Sequence, residues 1–205
     1  MNKTMNYYSI QDKFRKIPKK IRKLEKINFI EVNELCPLTD FILASNFRKN
    51  KLLISNRCYY SFKQMNLPPH SVEKVKIKSS QEEFVIINFK DIYGLMLNSI
   101  EYEKSEFYLG YLKSLNSIHT IDECYFLNKK ELISKSNELI LSDKYYHDSY
   151  GQLAIFPKKI KLSSKFDYDY FHFTEMFISN YLKDEIIKHN LTGLEIEQKS
   201  TSLFF

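Results

Sequence analysis

Residues Phe166 to Ile196, FDYDYFHFTEMFISNYLKDEIIKHNLTGLEI, constrain this chain more tightly than any other stretch. Phe166, Tyr168, Tyr170, Phe171 and Phe173 are interleaved with Asp167, Asp169 and His172, close to the period-two alternation of a half-buried strand. Ser179 fits a helix N-cap, because its hydroxyl can accept a bond from an otherwise unpaired first-turn amide. Leu182, Ile186 and Ile187 then recur at helical spacing, with Lys183, Asp184, Glu185 and Lys188 between them. Asn190 and Gly193 both tolerate positive φ, which stops the helix near His189 and turns the chain into LEIEQ as a strand. The unit reads strand, capped helix, glycine turn, strand.

A weaker copy lies upstream. ISNRCYYSFKQMNL (54 to 67) and ISNYLKDEIIKHNL (178 to 191) align at a constant offset of 124 residues, Ser55 against Ser179, with five identities in fourteen. Cys58 and Phe62 fall on Leu182 and Ile186, so cap, apolar face and terminator agree together. A period this long excludes a solenoid and predicts two related lobes. We expect an α+β fold with mixed or mainly antiparallel sheets and a few helices. It forms a single globular domain over 1–205, with two pseudo-repeated lobes of about 1–90 and 91–205.

In chain order, residues 5 to 10 and Asn28 to Val32 predict strands, and Asp40 to Ala44 and Lys51 to Ile54 predict short apolar segments. A capped helix from Ser55 to Met65 ends at LPPH, where two prolines cannot continue the ladder. Val72 to Lys78 and Glu82 to Phe89 predict a hairpin, with Phe84 to Ile87 covered on both faces. Phe107 to Leu112 reads as a strand, Lys129 to Ile140 as a helix, 142 to 156 as loop, and KKIKL after Pro157 as a short strand.

Composition narrows the function classes. With 43% hydrophobic and 15% aromatic residues the chain can bury a sizeable core. Four glycines supply no glycine-rich phosphate loop. Cys36, Cys58 and Cys124 are odd in number and form no CxxC pair, which predicts a reducing compartment. No signal peptide is recognised and no apolar run reaches the length of a membrane span, so a cytoplasmic protein is expected.

The charge of +6 is unevenly placed. Residues 1 to 26 hold nine Lys or Arg against Asp12 and Glu25, a net of +7, and the other 179 residues sum to −1. The basic segment, 11–26, suits nucleic acid, an anionic membrane or an acidic partner. Equally, Ile17, Ile21 and Leu24 recur at helical spacing, so the charges can simply coat an amphipathic helix. Only Phe14 is available there for stacking on bases, which makes a nucleic-acid surface the weaker reading.

Catalytic patterns are weak. Asp167 and Asp169 form a DxD, but on a strand they share one face and alternate with aromatics as a solvent side. His147-Asp148 has no nucleophile at triad spacing, His70 after two prolines reads as a turn residue bonding its own backbone, and no histidine pattern suits zinc. Cys58 sits at an apolar helical position and is expected buried and inert. We expect no enzyme, no metal and no cofactor.

LPPH at 67 to 70 followed by a hairpin, IEYEKSEF at 100 to 107, and FDYDYF…FISNYLKDEI…NLTGLEI resemble a family of bacterial immunity proteins, the cognate antitoxins of polymorphic toxin systems. The resemblance runs from about Lys51 to Glu197, and ISxxLxxxI…LTG is its most specific part. The basic stretch before Asn28 and the aromatic Tyr170 depart from it. The resemblance implies a cytoplasmic protein that neutralises a toxin encoded by an adjacent gene, by stoichiometric contact. Interfaces favour Tyr at desolvated anchors. Tyr145, Tyr146, His147 and Tyr150 are therefore expected in the contact surface, with Tyr168 and Asp169 as weaker candidates. A nucleic-acid-binding or regulatory role for the basic segment is the alternative.

Overall fold

A computed structural model describes residues 7–12, 21–23, 29–32, 38–42, 50–77, 80, 82–114, 117–142, 146–147, 151–172, 176–197 and 203–204. The first half holds β1 (Tyr7–Asp12), β2 (Ile21–Lys23), β3 (Phe29–Val32), β4 (Phe41–Ile42), β5 (Lys51–Ser55), α1 (Asn56–Phe62), β6 (His70–Ile77), β7 (Glu83–Phe89) and α2 (Ile92–Asn98). A 3-10 turn (Tyr102–Lys104) leads to β8 (Glu106–Ser114), β9 (Ser117–Cys124), α3 (Lys129–Ile140), β10 (Tyr146–His147) and β11 (Gly151–Lys161). The chain ends with β12 (Tyr170–His172), β13 (Met176–Ser179), α4 (Asn180–Lys188), β14 (Leu194–Glu197) and β15 (Leu203–Phe204). The fold is α+β, and its strand pairs are antiparallel apart from β3 with β6 and β11 with β15.

The division is not a cut near residue 90. One unit joins Met1–Met96 to Asp167–Lys199, and the other joins Leu97–Phe166 to Ser200–Phe205. The first unit contains two sheets, ordered β2-β3-β6-β7-β5-β4 and β12-β13-β1-β14. Their matching parts reveal the pseudo-repeat. β4 pairs β5, which leads into α1, and β6 with β7 completes the first copy. In the second, β12 pairs β13, which leads into α4, and β14 pairs β1. The strand equivalent to β7 is thus β1, supplied from the other end of the sequence. Both ladders hold the 124-residue offset, with His70 to Glu73 opposite β7 as Leu194 to Glu197 stand opposite β1.

Local chemistry sets these boundaries. Ser55 Oγ accepts the Cys58 amide and Ser179 Oγ accepts the Leu182 amide, both at 3.1 Å, and each serine is extended. Asn190 (φ 50°) and Gly193 (φ 103°) take the left-handed backbone that ends α4 and enters β14. α1 packs on β5 and β7, α4 on β13 and β1, and the two helices meet. Ile42, Leu53, Val75, Ile77, Phe84 and Ile86 form one core cluster, and Phe84 to Ile87 are buried on both faces as expected. Tyr170 stacks on Phe89 at 4.9 Å and lies 6.5 Å from Phe62, which is edge-on to Phe41.

The second unit is the sheet β10-β11-β8-β9 with α3 against β11. Asn128 Oδ1 accepts the Glu131 amide while Glu131 accepts the Leu127 amide, a reciprocal cap that starts α3 where the sequence places it. Three sequence expectations fail. The basic amphipathic helix is contradicted at 21–23, which pair with β3 as a strand; 13–20 and 24–26 lie outside the described residues. The stretch 142 to 156 is not loop throughout, because β11 begins at Gly151 and runs through Pro157. The strand expected from Phe166 starts only at Tyr170.

Candidate functional site

The two halves of the first unit brace each other through a pair of buried aspartates, one just before β4 and one just before β12. Asp169 accepts the Ser179 hydroxyl at 2.5 Å and the Asn66 amide at 2.8 Å, and its carbonyl accepts the Ser179 amide at 2.9 Å. Asp40 repeats the arrangement: it accepts the Ser55 hydroxyl at 2.6 Å and the Thr192 amide at 2.8 Å, and its carbonyl accepts the Ser55 amide at 2.8 Å. Each carboxylate therefore fixes the N-cap of its own helix and the loop leaving the other helix. Gly193 follows Thr192 closely packed; a Cβ there would lie 2.4 Å from the Phe41 carbonyl oxygen.

The repeat also shows where the copies differ. Arg57 donates from Nε at 3.2 Å and Nη2 at 2.6 Å to the two oxygens of Asp40, a bidentate clamp. Its counterpart at the 124-residue offset is Tyr181, and the bonds described for Asp169 include no arginine. Arg57 remains 61% exposed beside a cleft of about 390 Å³ lined by Asp40, Ser55, Arg57, Glu82, Glu83 and Thr192. Burial pushes the Asp40 carboxyl up, but bonds from Arg57, Ser55 and Thr192 together outweigh it and hold the group below its ordinary value of 3.8. The result is a guanidinium held in one orientation, with unused N–H donors at a cleft wall.

The tyrosine segment is only partly placed. Tyr146 and His147 form β10, opposite Gln152 and Gly151, and Tyr145 and Tyr150 lie outside the described residues. Tyr168 is half-buried in the other unit. Asp169, expected at a contact surface, is 5% exposed and committed to Ser179 and Asn66, so it is a bracing residue. The DxD does not share a solvent face: Asp167 is exposed and Asp169 is buried. His70 bonds the backbone two residues before it, Nδ1 to the Pro68 carbonyl oxygen at 2.8 Å. Cys58 is fully buried, and burial raises its thiol well above the ordinary value, as suits an inert side chain.

Asp40 lies upstream of the aligned segment 54 to 67, and Arg57, inside it, differs meaningfully from Tyr181 only once Asp40 is set beside it. Asp-Phe-Ile at 40 to 42 and Asp-Tyr-Phe at 169 to 171 precede the two ISN motifs, and the unequal β4–β5 and β12–β13 connections hide the match. Among the described residues no group of three or more His, Cys, Asp or Glu is placed to hold a metal ion, and no helix is long and apolar enough to cross a membrane. No protein-family model matches the chain, and no curated protein matches it.

Proposed function

We propose that this chain is an immunity protein, a stoichiometric inhibitor that binds a cognate bacterial toxin by protein–protein contact and performs no chemistry of its own. The observation that carries the reading is Arg57. The second copy of the repeat braces its aspartate and caps its helix without an arginine, so the repeated architecture itself does not require Arg57. A guanidinium already oriented by a carboxylate loses little freedom on binding, and arginine is enriched at the energetic centres of interfaces. Glu82 and Glu83 share the cleft with it, so the complementary surface presents both signs, with basic groups facing the two glutamates. The resemblance carried by ISxxLxxxI…LTG supports the class of partner.

The test is protection. The toxin predicted from the adjacent gene is expressed in a susceptible host with and without this chain. Rescue of growth and 1:1 co-purification are expected, and Arg57→Tyr should weaken capture by about tenfold or more, the effect of losing an interface anchor. Absence of rescue by soluble wild-type protein overturns the reading.

A further inference from the structure

A guanidinium has more than one hydrogen-bonding edge, and Arg57 spends only its side edge. Nε and Nη2 form that edge, and both donate to Asp40. The end edge, Nη1 with the second N–H of Nη2, has no bond among the described residues. Its two N–H groups are parallel and coplanar, the geometry that matches the paired oxygens of a carboxylate or phosphate. Asp40 cannot swing round to that edge, because Oδ1 also accepts the Ser55 hydroxyl and Oδ2 the Thr192 amide and hydroxyl. The free edge is therefore fixed in place.

Charge decides which oxyanion it takes. Asp40 is held below its ordinary value, stays ionised at neutral pH and cancels Arg57. Glu82 and Glu83 are exposed and make no ion pair among the described residues, so they leave the cleft two charges negative. A phosphate, or a nucleic-acid backbone carrying one at every step, would meet both glutamates on its way to Arg57. A carboxylate enters this cleft if cations come with it, as in a protein segment where an acidic side chain is flanked by basic ones.

The duplication shows that these charges are no part of the repeated architecture. Ser55 stands opposite Phe84 as Ser179 stands opposite Tyr7. In sequence, Glu82 and Glu83 hence correspond to Met5 and Asn6, and Arg57 to Tyr181. The buried aspartate and the capping serine occur twice, whereas the other three charged residues lining the cleft occur once.

We propose that the toxin docks a segment here in which one Asp or Glu meets the free edge of Arg57 end-on, while neighbouring Lys or Arg side chains reach Glu82 and Glu83. This inference rests on the toxin reading and names the chemistry of the surface that meets the cleft. The fixed guanidinium supplies direction. The two glutamates supply an attraction that salt screens.

The test uses the full chain and the toxin from the adjacent gene, with capture measured by calorimetric titration. Glu82→Lys combined with Glu83→Lys, at exposed positions, should weaken capture at least about tenfold. Raising NaCl from about 0.05 to 0.5 M should weaken the wild type far more than this variant. Arg57→Lys keeps a cation beside Asp40 but loses the fork, and should weaken capture by about tenfold. Neutralising the toxin's surface Asp and Glu residues singly, against the unaltered chain, should find one whose loss equals that of Arg57→Lys and adds nothing to it. Wild-type capture in which no toxin carboxylate couples to Arg57, or capture indifferent to the exchange at Glu82 and Glu83, overturns this inference and leaves toxin binding standing. Absence of capture by the wild type overturns the toxin reading itself, and this inference with it.

Discussion

Asp167 and Asp169 stand two residues apart and do opposite things. Period-two alternation would place both in solvent, but the strand begins at Tyr170, and the backbone before it turns Asp169 inward. Asp169→Ala strands the Ser179 hydroxyl and the Asn66 amide and should cost about 2–4 kcal/mol in urea unfolding, whereas Asp167→Ala should stay within about 0.5 kcal/mol. Asp40 adds a pH dependence. Its folded value lies below the unfolded one, so its contribution is whole above pH 3.8 and is lost as pH falls through the lower folded value. The stability gap between wild type and Asp40→Asn should be present at pH 7 and shrink below about pH 4. The serine caps were legible because a cap is local. The aspartates were not, since their partners lie 103 and 152 residues away.

Elements governed by their own residues were read well. Lys129–Ile140 forms α3 over the predicted span, and the stop of α4 at Asn190 and Gly193 follows from their tolerance of positive φ. Gly193→Ala combines a φ of 103° with a clash against Thr39 and the Phe41 carbonyl, and thermal or urea unfolding should show a loss of about 1–3 kcal/mol. Elements defined by a neighbour were read poorly. β11 passes through Pro157 because the ladder to β8 shifts between Pro157 and Lys159, and an irregularity there accommodates a missing N–H. The three residues of β2 have no strand signal of their own; β3 supplies the pairing.

At the scale of the whole chain, the offset of 124 residues revealed the duplication but not its permutation. Sequence order places β1 far from β13 and β14, yet it lies between them. Removing residues 1–12 therefore takes an inner strand out of a sheet and should abolish cooperative unfolding of the first unit, followed by urea and circular dichroism. Neutralising the lysines and arginines singly is the cleaner probe of the basic segment. The crossed contacts Asp40–Thr192 and Asn66–Asp169 hold the duplicated halves together, and Arg57 is the addition that only one half carries. The most direct measurement is Arg57→Tyr, the residue of the other copy, assayed for capture of the toxin alongside its melting temperature. The account predicts capture weakened at least tenfold in protein that still unfolds cooperatively, with a Tm lowered by several degrees because buried Asp40 keeps its Ser55 and Thr192 bonds but loses its guanidinium. Undiminished capture, or a collapse of the Tm, would contradict it.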